Sequence, residues 1–347
     1  MTSNANMLRL KYQRHLKRLL LGPGTLEAAA YRKEIIFPEE TVTYLPPVYL
    51  DGQIERVIGS PQEVESATKL TGYHAPTIAY HLREVALVDG SVYSGTLKFF
   101  VGHFKAPIPV EPVDLDRAAL ASTFYGVKYF GHWLRDDCTH WLLANEIDLP
   151  PLCLPSPTGL HVEGYKSLFE QSWTPTFRAR VKHLTIFGDH DQNGLRRQRY
   201  ERLRNIIAAH FMRNNRRSLV YLKRGNDGTP RRIQNEAEII DTLTRSGFTV
   251  LDTASTPLEE LLGTLVDARL VVSLEGSHIA HCVCSIPNDS GLLVLQPPDR
   301  FGASHRLWTN CLGIRSGFVV GRKSGAGYHF DMIEIRRTID LLERAVG

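Results

Sequence analysis

Histidine and aspartate residues recur between Phe130 and Trp141, a segment whose residue types suit proton transfer. If the segment is helical, His132, Asp136 and His140 recur at intervals of four and share one face. A carboxylate beside a histidine can remove the proton of a hydroxyl group that attacks an electrophilic carbon. Acidic residues near a helix start can also act as caps, so a structural role for Asp136 and Asp137 stays open.

A second segment with chemical potential runs from Leu270 to His281, where an apolar stretch is followed by small and polar residues. Gly276 lets the backbone approach a ligand closely, and the first N–H groups of a following helix form a site for a diphosphate. Glu275 can accept hydrogen bonds from ribose or sugar hydroxyls, and His278 or His281 can donate to phosphate oxygens. Many such junctions are only tight turns, but a position after a central strand favours ligand binding.

The same segment contains residues that commonly bind zinc, namely His278, His281, Cys282 and Cys284. Successive residues of one short helix point in different directions, and no second ligand pair is evident. We therefore predict no metal here and expect the cysteines to pack behind the helix.

Basic residues are dense between Arg196 and Arg232, which favours an anionic ligand. Arg224 and Arg231 flank an Asn-Asp-Gly turn after a predicted strand, where a planar guanidinium suits a phosphate, and Asn235 can cap the next helix. A nucleic-acid-binding protein is the rival interpretation of this cluster. Aromatic side chains for base stacking are sparse within it, so we expect no nucleic-acid partner.

Asp189 and Asp191 follow an apolar run and form an Asp-x-Asp pair that suits a divalent cation. With Asn193 and Gly194 the spacing also resembles a calcium loop, but the closing position of that loop is Tyr200 rather than an acid. A polar turn is the prediction, and a metal-dependent transferase that uses Asp189 and Asp191 is the alternative.

Short β-branched runs alternate with helical segments in the C-terminal third, a pattern that predicts a parallel sheet of the Rossmann type. The predicted strands are Leu219–Leu222, Phe248–Leu251, Leu270–Leu274, Leu292–Leu295 and Phe318–Val320. The predicted helices are Asn235–Arg245, Pro257–Ala268, Gly276–Cys284 and Ser304–Leu312. No Gly-x-Gly-x-x-Gly motif follows a strand, which disfavours a Rossmann oxidoreductase.

The N-terminal half is less regular, with short apolar runs at Val85–Val88 and Leu97–Val101. Further along, the α/β pattern returns with helices at Gly131–Glu146 and Leu195–Phe211 and strands at Leu152–Leu154 and Leu184–Phe187. We predict an N-terminal lobe over 1–215, of which 1–115 are irregular and unassigned and 116–215 are α/β. A Rossmann-like lobe follows over 216–330, then a C-terminal helix over 331–347, with the boundary near 213–216.

Composition limits the class of protein. A formal net charge of +4 is too small by itself to indicate nucleic-acid binding. The five cysteines and the absence of an apolar export segment at the start favour a cytoplasmic protein. No apolar run is long enough to span a bilayer, and the basic amphipathic residues 8–21 are expected either to touch an anionic membrane face or to form a solvated helix.

Several segments taken together resemble glycosyltransferase family 61, in particular its bacterial members of surface polysaccharide synthesis. The similar stretches are Tyr129–Asp136, Leu222–Gly225, Arg231–Glu236, Gly247-Phe248, Glu275–His278 and Pro297–Phe301. They fall in order over residues 120–301, about half the chain, and the ordered set is more specific than any member. The resemblance implies a GT-B fold, with two Rossmann-type lobes and a cleft between them, and inverting transfer with no obligatory metal.

The resemblance makes 1–215 the acceptor-side lobe and 216–330 the nucleotide-sugar-binding lobe, and it implies roles for single residues. Asp136, oriented by His132, becomes the base that activates a carbohydrate hydroxyl, with Asp137 in reserve. The donor side is implied at these positions: Arg224, Arg231, Asn235, Glu275, Gly276, Ser277, His278, His281 and Arg300. The expected donor is a nucleotide sugar, a UDP-sugar first, and we expect no cofactor or metal and a role in capsule or surface polysaccharide synthesis at the inner face of the membrane.

Overall fold

A computed structural model describes residues 24–104, 106, 110–211, 217–225 and 231–347. The described residues form two compact units: the first takes in those of 24–40 and 74–199, and the second takes in those of 41–73 and 200–347. Residues 41–73, assigned from the sequence to the N-terminal lobe, thus belong to the second unit. The boundary expected at 213–216 and the amphipathic residues 8–21 lie outside the described residues, and the domain limits stay predictions.

The strands of the described chain are numbered in chain order. They are β1 (Arg32–Phe37), β2 (Glu40–Thr43), β3 (Thr71–His74), β4 (Thr77–Val88), β5 (Ser91–Ser94), β6 (Leu97–Phe100), β7 (Val113–Leu120), β8 (Pro151–Leu152), β9 (Arg178–Gly188), β10 (Ser218–Lys223), β11 (Phe248–Asp252), β12 (Ala268–Leu274), β13 (Gly291–Gln296), β14 (Arg315–Val320), β15 (Arg322–Ser324) and β16 (Gly327–His329). Two small sheets pair β2 with β3 and β15 with β16.

The α-helices are numbered in the same way. They are α1 (Leu26–Ala29), α2 (Pro61–Thr68), α3 (Phe130–His132), α4 (Cys138–Glu146), α5 (Val162–Leu168), α6 (Gly194–His210), α7 (Glu236–Arg245), α8 (Leu258–Leu265), α9 (Ala280–Ser285), α10 (Ser304–Cys311) and α11 (Met332–Val346). Short 3-10 turns cover Ile54–Arg56 and Ser277–Ile279. Within the described ranges, no helix combines the length and the apolar character needed to cross a membrane.

The sheet of the first unit is mixed. Its strand order is β6-β5-β4-β9-β7-β8, with β1 paired to β4. β4 lies antiparallel to β9, whereas β7 runs parallel to both β9 and β8. The prediction of a Rossmann-type first lobe is therefore corrected, because the tight hairpins that join β4, β5 and β6 force antiparallel pairing.

The sheet of the second unit is parallel throughout and has the strand order β11-β10-β12-β13-β14. All five strands predicted from the sequence are confirmed, each extended by one to three residues. Buried aliphatic residues on these strands pack with α7 and α11 in one core, which includes Leu270, Val272 and Leu293. Since β11 lies on one side of β10 and the later strands follow on the other, the direction of winding reverses between β10 and β12.

The helix predicted over Gly131–Glu146 is interrupted. A π-helical turn covers Trp133–Asp137, in which the Cys138 N–H bonds to the carbonyl of Trp133, five residues back. The additional residue rotates the helix after the turn, so His140 does not continue the face of His132 and Asp136 as expected. His140 is buried, with Nε2 at 3.4 Å from Asp189 Oδ2.

Candidate active site

His132 and Asp136 form a direct pair in the first unit. His132 Nδ1 lies 2.7 Å from Asp136 Oδ2, as the spacing of four predicts. The Asp136 side chain is buried, whereas 30% of the His132 side chain remains exposed. The turn that follows α3 thus places the carboxylate inside the unit and the imidazole at its surface.

Two arginines hold the Asp136 carboxylate. Arg135 donates from Nε to Oδ1 at 2.9 Å and from Nη2 to Oδ2 at 3.1 Å, and Arg196 Nη2 donates to Oδ1. Burial by itself raises the pKa of Asp136, but the two guanidinium groups and His132 outweigh it and hold that pKa well below its usual range. Asp136 is therefore a carboxylate at neutral pH and a weak proton acceptor.

Two groups with opposite hydrogen-bonding character meet Nδ1 of His132. Asp136 Oδ2 of the ionised carboxylate, which only accepts, lies 2.7 Å from Nδ1, and Arg135 Nη2, which only donates, lies 2.8 Å from it. With the proton on Nδ1 and donated to Asp136, Nε2 on the far side of the ring is the nitrogen that can accept a proton. With Nδ1 accepting from Arg135, Nε2 carries the proton instead.

Asp137, the reserve base, lies in a different environment. It is fully buried, and its Oδ1 accepts from the Thr123 backbone N–H at 2.9 Å and from the Thr123 hydroxyl at 2.7 Å. Burial raises the pKa of Asp137 well above its usual range, with Thr123 acting in the opposite direction. These contacts favour a structural role for Asp137, which holds the turn around Thr123.

The Asp-x-Asp pair is bonded to the protein itself. Asp189 accepts from Thr77 Oγ1 at 2.7 Å and from Arg199 Nη2 at 2.5 Å. Asp191 Oδ2 accepts from the Ala75 N–H at 2.6 Å. Burial raises the pKa of Asp189, but Arg199 and Arg196 outweigh it and keep the carboxylate ionised. With two guanidinium groups against Asp189, this geometry disfavours the alternative of a cation held by the pair.

The predicted donor residues of the second unit meet at the carboxyl ends of its parallel strands. Arg224 follows β10, and its Nη1 donates to the Glu275 carbonyl at 3.2 Å. Arg231 Nη1 donates to the same carbonyl at 3.0 Å and lies 2.6 Å from Glu275 Oε2. Ser273 Oγ, on β12, donates to the Leu222 carbonyl on β10 at 2.8 Å and ties the two strands together. This edge is where the winding reverses, the position at which open α/β sheets bind ligands.

Gly276 packs tightly against these donors. A Cβ at this position would lie 2.2 Å from Arg224 Nη1 and 3.0 Å from His278 Nδ1. Gly276 is followed by a 3-10 turn, Ser277–Ile279, and the six-residue helix α9, not by the continuous helix that the sequence predicted. The expected anion site at a long helix start is therefore reduced to a turn, and guanidinium groups supply the positive charge.

The two histidines of this segment are buried. His278 Nε2 lies 2.8 Å from Ser273 Oγ, and because that hydroxyl donates to Leu222, Nε2 must be the protonated nitrogen. Burial lowers the pKa of His278 well below its usual range, and Arg224 lowers it further, so the ring is neutral. His281 is 2% exposed on α9, which disfavours contact with a phosphate.

Three further predicted positions differ in their surroundings. Arg300 is exposed after β13, and its charge together with those of Arg231 and Arg224 opposes the rise that burial imposes on the pKa of Glu275. Ser277 is partly buried in the turn. Asn235 stands at the start of α7 but does not cap it; its side chain instead pairs with the Phe330 backbone, accepting from N–H at 3.2 Å and donating to C=O at 2.8 Å.

The comparison with protein families assigns the class of this chain. Residues 130–293 match the family model described as Glycosyltransferase 61. The chain contains a glycosyltransferase 61 domain. It is therefore a glycosyltransferase, an enzyme with a sugar donor and an acceptor. The matched range includes both the His132–Asp136 pair and the Gly276 turn of this glycosyltransferase.

The other comparisons add no argument about the glycosyltransferase. No curated protein matches it. Among solved structures it is similar to a mutant of a flavo di-iron protein from Thermotoga maritima, with 13% identity and a TM-score of 0.28. That likeness covers 78% of this chain and 65% of the other, and at this score it is evidence for neither fold nor function.

Other residues of the glycosyltransferase acquire their meaning only from the structure. Arg196 and Arg199, counted in the basic cluster, are each 1% exposed and bind Asp136 and Asp189. Arg204 is buried and donates to the carbonyls of Val283 and Ile286. The inference of an anionic ligand from the density of the cluster is thus weakened, and so is the nucleic-acid alternative, because these guanidinium groups are bonded inside the protein.

The cysteines of α9 pack in the interior, as predicted. Cys282 and Cys284 are buried, and burial raises the pKa of Cys282 and raises that of Cys284 to about 12. Among the residues that the structure describes, no group of three metal-binding side chains is present.

Proposed function

We propose that this glycosyltransferase is an inverting, metal-independent enzyme that moves a sugar from a nucleotide sugar, a UDP-sugar first, to a carbohydrate hydroxyl. The observation that carries the proposal is the His132–Asp136 pair, in which Nδ1 of a partly exposed imidazole lies 2.7 Å from a buried carboxylate. In the cell we assign it to capsule or surface polysaccharide synthesis at the cytoplasmic face of a membrane. Of the GT-B fold implied by the family resemblance, the proposal keeps the Rossmann-type, nucleotide-sugar-binding lobe, which the parallel sheet of the second unit supports.

The geometry supports His132 as the base and Asp136 as its positioning residue, the reverse of the roles inferred from the sequence. Asp136 is bonded to two guanidinium groups, which lower its affinity for a proton. In the proposed tautomer His132 donates Nδ1–H to Asp136 and has an unprotonated Nε2, and its ring is partly exposed. Nε2 takes the proton of the acceptor hydroxyl as that oxygen attacks the anomeric carbon, and Asp136 stabilises the imidazolium that forms.

The second half of the reaction breaks the bond between the anomeric carbon and the diphosphate. We assign the departing negative charge to Arg224 and Arg231, both held at the Glu275 carbonyl. This assignment is supported by where the two side chains lie, at the carboxyl ends of the parallel strands, where the direction of winding reverses between β10 and β12. Open α/β sheets bind their ligands at this position. Guanidinium groups that are already oriented stabilise a developing phosphate charge without reorganising during the reaction.

Metal independence is proposed from how the acidic residues are bonded. Asp189 is bound by Thr77 and Arg199, and Asp191 by the Ala75 N–H. A dication at this pair would have to displace a buried guanidinium from Asp189, at a large electrostatic cost. Arginine side chains can perform the charge neutralisation that a dication performs in metal-dependent transferases.

Donor hydrolysis tests the proposal without knowledge of the acceptor. The protein is incubated with UDP-, GDP- and CMP-sugars in the presence of EDTA, and nucleotide release is measured together with thermal stabilisation by each free nucleotide. We expect one nucleotide class to stabilise the protein and its sugars to be hydrolysed. No stabilisation and no release with any donor would overturn the proposal, and release only after addition of Mn²⁺ or Mg²⁺ would overturn its metal-independent form.

The base is tested with matched histidine variants. His132→Ala should lower nucleotide release by roughly 10²–10⁴-fold without changing nucleotide stabilisation, since general bases contribute about that much. His183→Ala, at an exposed histidine of the same unit, is the control and should retain full activity. Equal activity of the two variants would remove His132 as the base.

A further inference from the structure

An aromatic patch lies exposed beside the proposed base. Tyr125 and Tyr129 are 54% and 48% exposed, and Phe124 is 37% exposed. Tyr125 and Tyr129 stack at 6.4 Å between ring centroids with 27° between their planes, and Phe124 meets Tyr125 edge-on at 5.0 Å. Aromatic rings are usually buried, so a group of three at the surface indicates a binding role.

The patch continues directly onto the imidazole. The ring centroids of Tyr125 and His132 are 5.0 Å apart with 30° between the planes, and Tyr129 lies 6.1 Å from His132. A ligand that lies against either tyrosine is therefore within one ring's width of the proposed base. The distance suits a substrate whose reacting hydroxyl must reach that base.

Buried contacts fix the turn that carries the patch. Asp137 accepts from the Thr123 N–H at 2.9 Å and from its hydroxyl at 2.7 Å. Gly126 lies so close that a Cβ would meet Asp137 Oδ1 at 1.9 Å. The Tyr129 N–H then bonds to the Tyr125 carbonyl at 2.9 Å and brings the two tyrosines onto one turn. These buried contacts hold the exposed aromatic rings in place before any ligand binds, so the patch is a preformed site.

Carbohydrate is the ligand that this arrangement favours. One face of a pyranose presents C–H groups that carry slight positive charge, and the face of an aromatic ring carries the complementary negative charge. Tyrosine adds a hydroxyl that can bond to sugar hydroxyls at the ring edge. Lys128 Nζ lies 3.5 Å from the Phe124 ring centroid and occupies that ring, which leaves the two tyrosines to receive a sugar.

We propose that Tyr125 and Tyr129 form the acceptor subsite, on which a pyranose ring of the acceptor stacks with one hydroxyl directed at His132. The inference rests on the proposed function for its assignment to the acceptor, because the base must contact the acceptor and not the donor phosphates. Asp137 is a positioning residue of this subsite, as Asp136 is of His132. The two adjacent aspartates thus support the two parts of one site.

Direct glycoside binding tests the subsite. The probes are methyl pyranosides of glucose, galactose, xylose and N-acetylglucosamine, with binding to the full chain measured by saturation-transfer NMR. We expect at least one to bind, Tyr125→Ala to weaken it by about tenfold or more, and Tyr125→Phe to retain it. Tyr73→Ala, at a tyrosine 62% exposed in the other unit, is the control and should bind as the wild type does.

The outcomes separate this inference from the proposed function. Glycoside binding that is absent in the wild type, or unchanged in both Tyr125→Ala and Tyr129→Ala, overturns the subsite even if nucleotide sugars are hydrolysed. Glycoside binding that depends on Tyr125 without any nucleotide-sugar hydrolysis supports the subsite and overturns the proposed function. In the full reaction, both tyrosine variants should raise the acceptor KM and leave the donor KM unchanged.

Discussion

Arginine side chains have different roles in the two units. In the first unit, Arg196 and Arg199 are buried against the carboxylates of Asp136 and Asp189, so their charge is neutralised within the protein. In the second unit, Arg224 and Arg231 meet at the carbonyl of Glu275 and are both partly buried, and Arg231 also pairs with the Glu275 carboxylate at 2.6 Å. Three guanidinium groups, of Arg224, Arg231 and Arg300, act on this one carboxylate, whereas the buried arginines of the first unit are matched by Asp136 and Asp189. The difference teaches that a dense basic sequence indicates an anionic ligand only where guanidinium groups outnumber the carboxylates beside them.

The largest expected effect is the loss of stability on removing Asp189, the carboxylate that pairs with the buried arginines of the first unit. Asp189→Ala leaves Arg196 and Arg199 buried without this carboxylate and should lower the free energy of unfolding by about 3–5 kcal/mol. Urea denaturation followed by circular dichroism measures the loss. Asp114→Ala, at an exposed aspartate paired with Arg180, is the control and should leave the midpoint unchanged. Similar losses for the two variants would contradict the buried role of Asp189.

Arg204 tests whether a basic residue on α6 is structural. Its guanidinium donates to Ile286 O at 2.5 Å and Asn288 Oδ1 at 2.6 Å, so Arg204→Met leaves acceptors unsatisfied near the end of α9. We expect a loss of about 2–3 kcal/mol in the free energy of unfolding. Arg202→Met, at an exposed position of the same helix, should cost much less. Equal cost would show that α6 contributes through its charge in general and not through this contact.

The pH dependence of stability distinguishes Asp137 from the adjacent Asp136, because the pKa of Asp137 is raised and that of Asp136 is lowered. Its raised pKa means that the folded protein binds this proton more tightly than the unfolded chain does. Its contribution to stability should therefore fall as pH rises from the unfolded value of about 3.9 toward the folded pKa, by at most about 1.4 kcal/mol per pH unit. Asp137→Asn removes this dependence and keeps an oxygen for Thr123.

The measurement is the unfolding free energy of wild type and Asp137→Asn between pH 4 and pH 8. A difference between them that does not vary with pH would contradict a raised pKa. Nucleotide-sugar hydrolysis by the same variant adds a second test, because a positioning residue tolerates the amide whereas a catalytic base does not. Abolished hydrolysis in a stably folded Asp137→Asn would return Asp137 to the role of base.

The smallest effect concerns the turn of the second unit. Gly276→Ala places a methyl group against Arg224 and His278 and should displace the guanidinium from the Glu275 carbonyl. Nucleotide affinity should fall about tenfold, the effect of losing one charged hydrogen bond, as measured by calorimetry. Gly302→Ala, where a Cβ meets open space, is the matched control. Unchanged affinity in both variants would separate Gly276 from donor binding.

Much of the second unit could be predicted from the sequence because its elements are local in origin. Alternating β-branched and amphipathic runs predicted all five parallel strands, and Gly276 was expected at the end of a central strand, where it lies. The pairing of His132 with Asp136 follows from a spacing of four in the helical segment. The sequence also contains an indication of the aromatic patch, because Phe124, Tyr125 and Tyr129 stand just before that segment.

Contacts between distant residues could not be predicted. Arg196 lies 60 positions from Asp136, and nothing in the sequence distinguishes it from the exposed Arg202 of the same helix. Two further features also depend on contacts between segments far apart in the sequence. They are the antiparallel pairing of β4 with β9 and the position of residues 41–73 in the second unit. Strand partners depend on which apolar faces find each other in the folded chain, and a sequence pattern does not contain that choice.

The sequence by itself determined the class of enzyme, the parallel sheet of the second unit and the His132–Asp136 pair, because family motifs and periodic patterns are local properties. Only the tertiary structure decided how the two aspartates differ, with Asp136 ionised against arginines and Asp137 buried beneath the Thr123 turn. The physical reason is that the protonation and role of a carboxyl group depend on burial and on the charges that surround it, and folding alone brings those charges together.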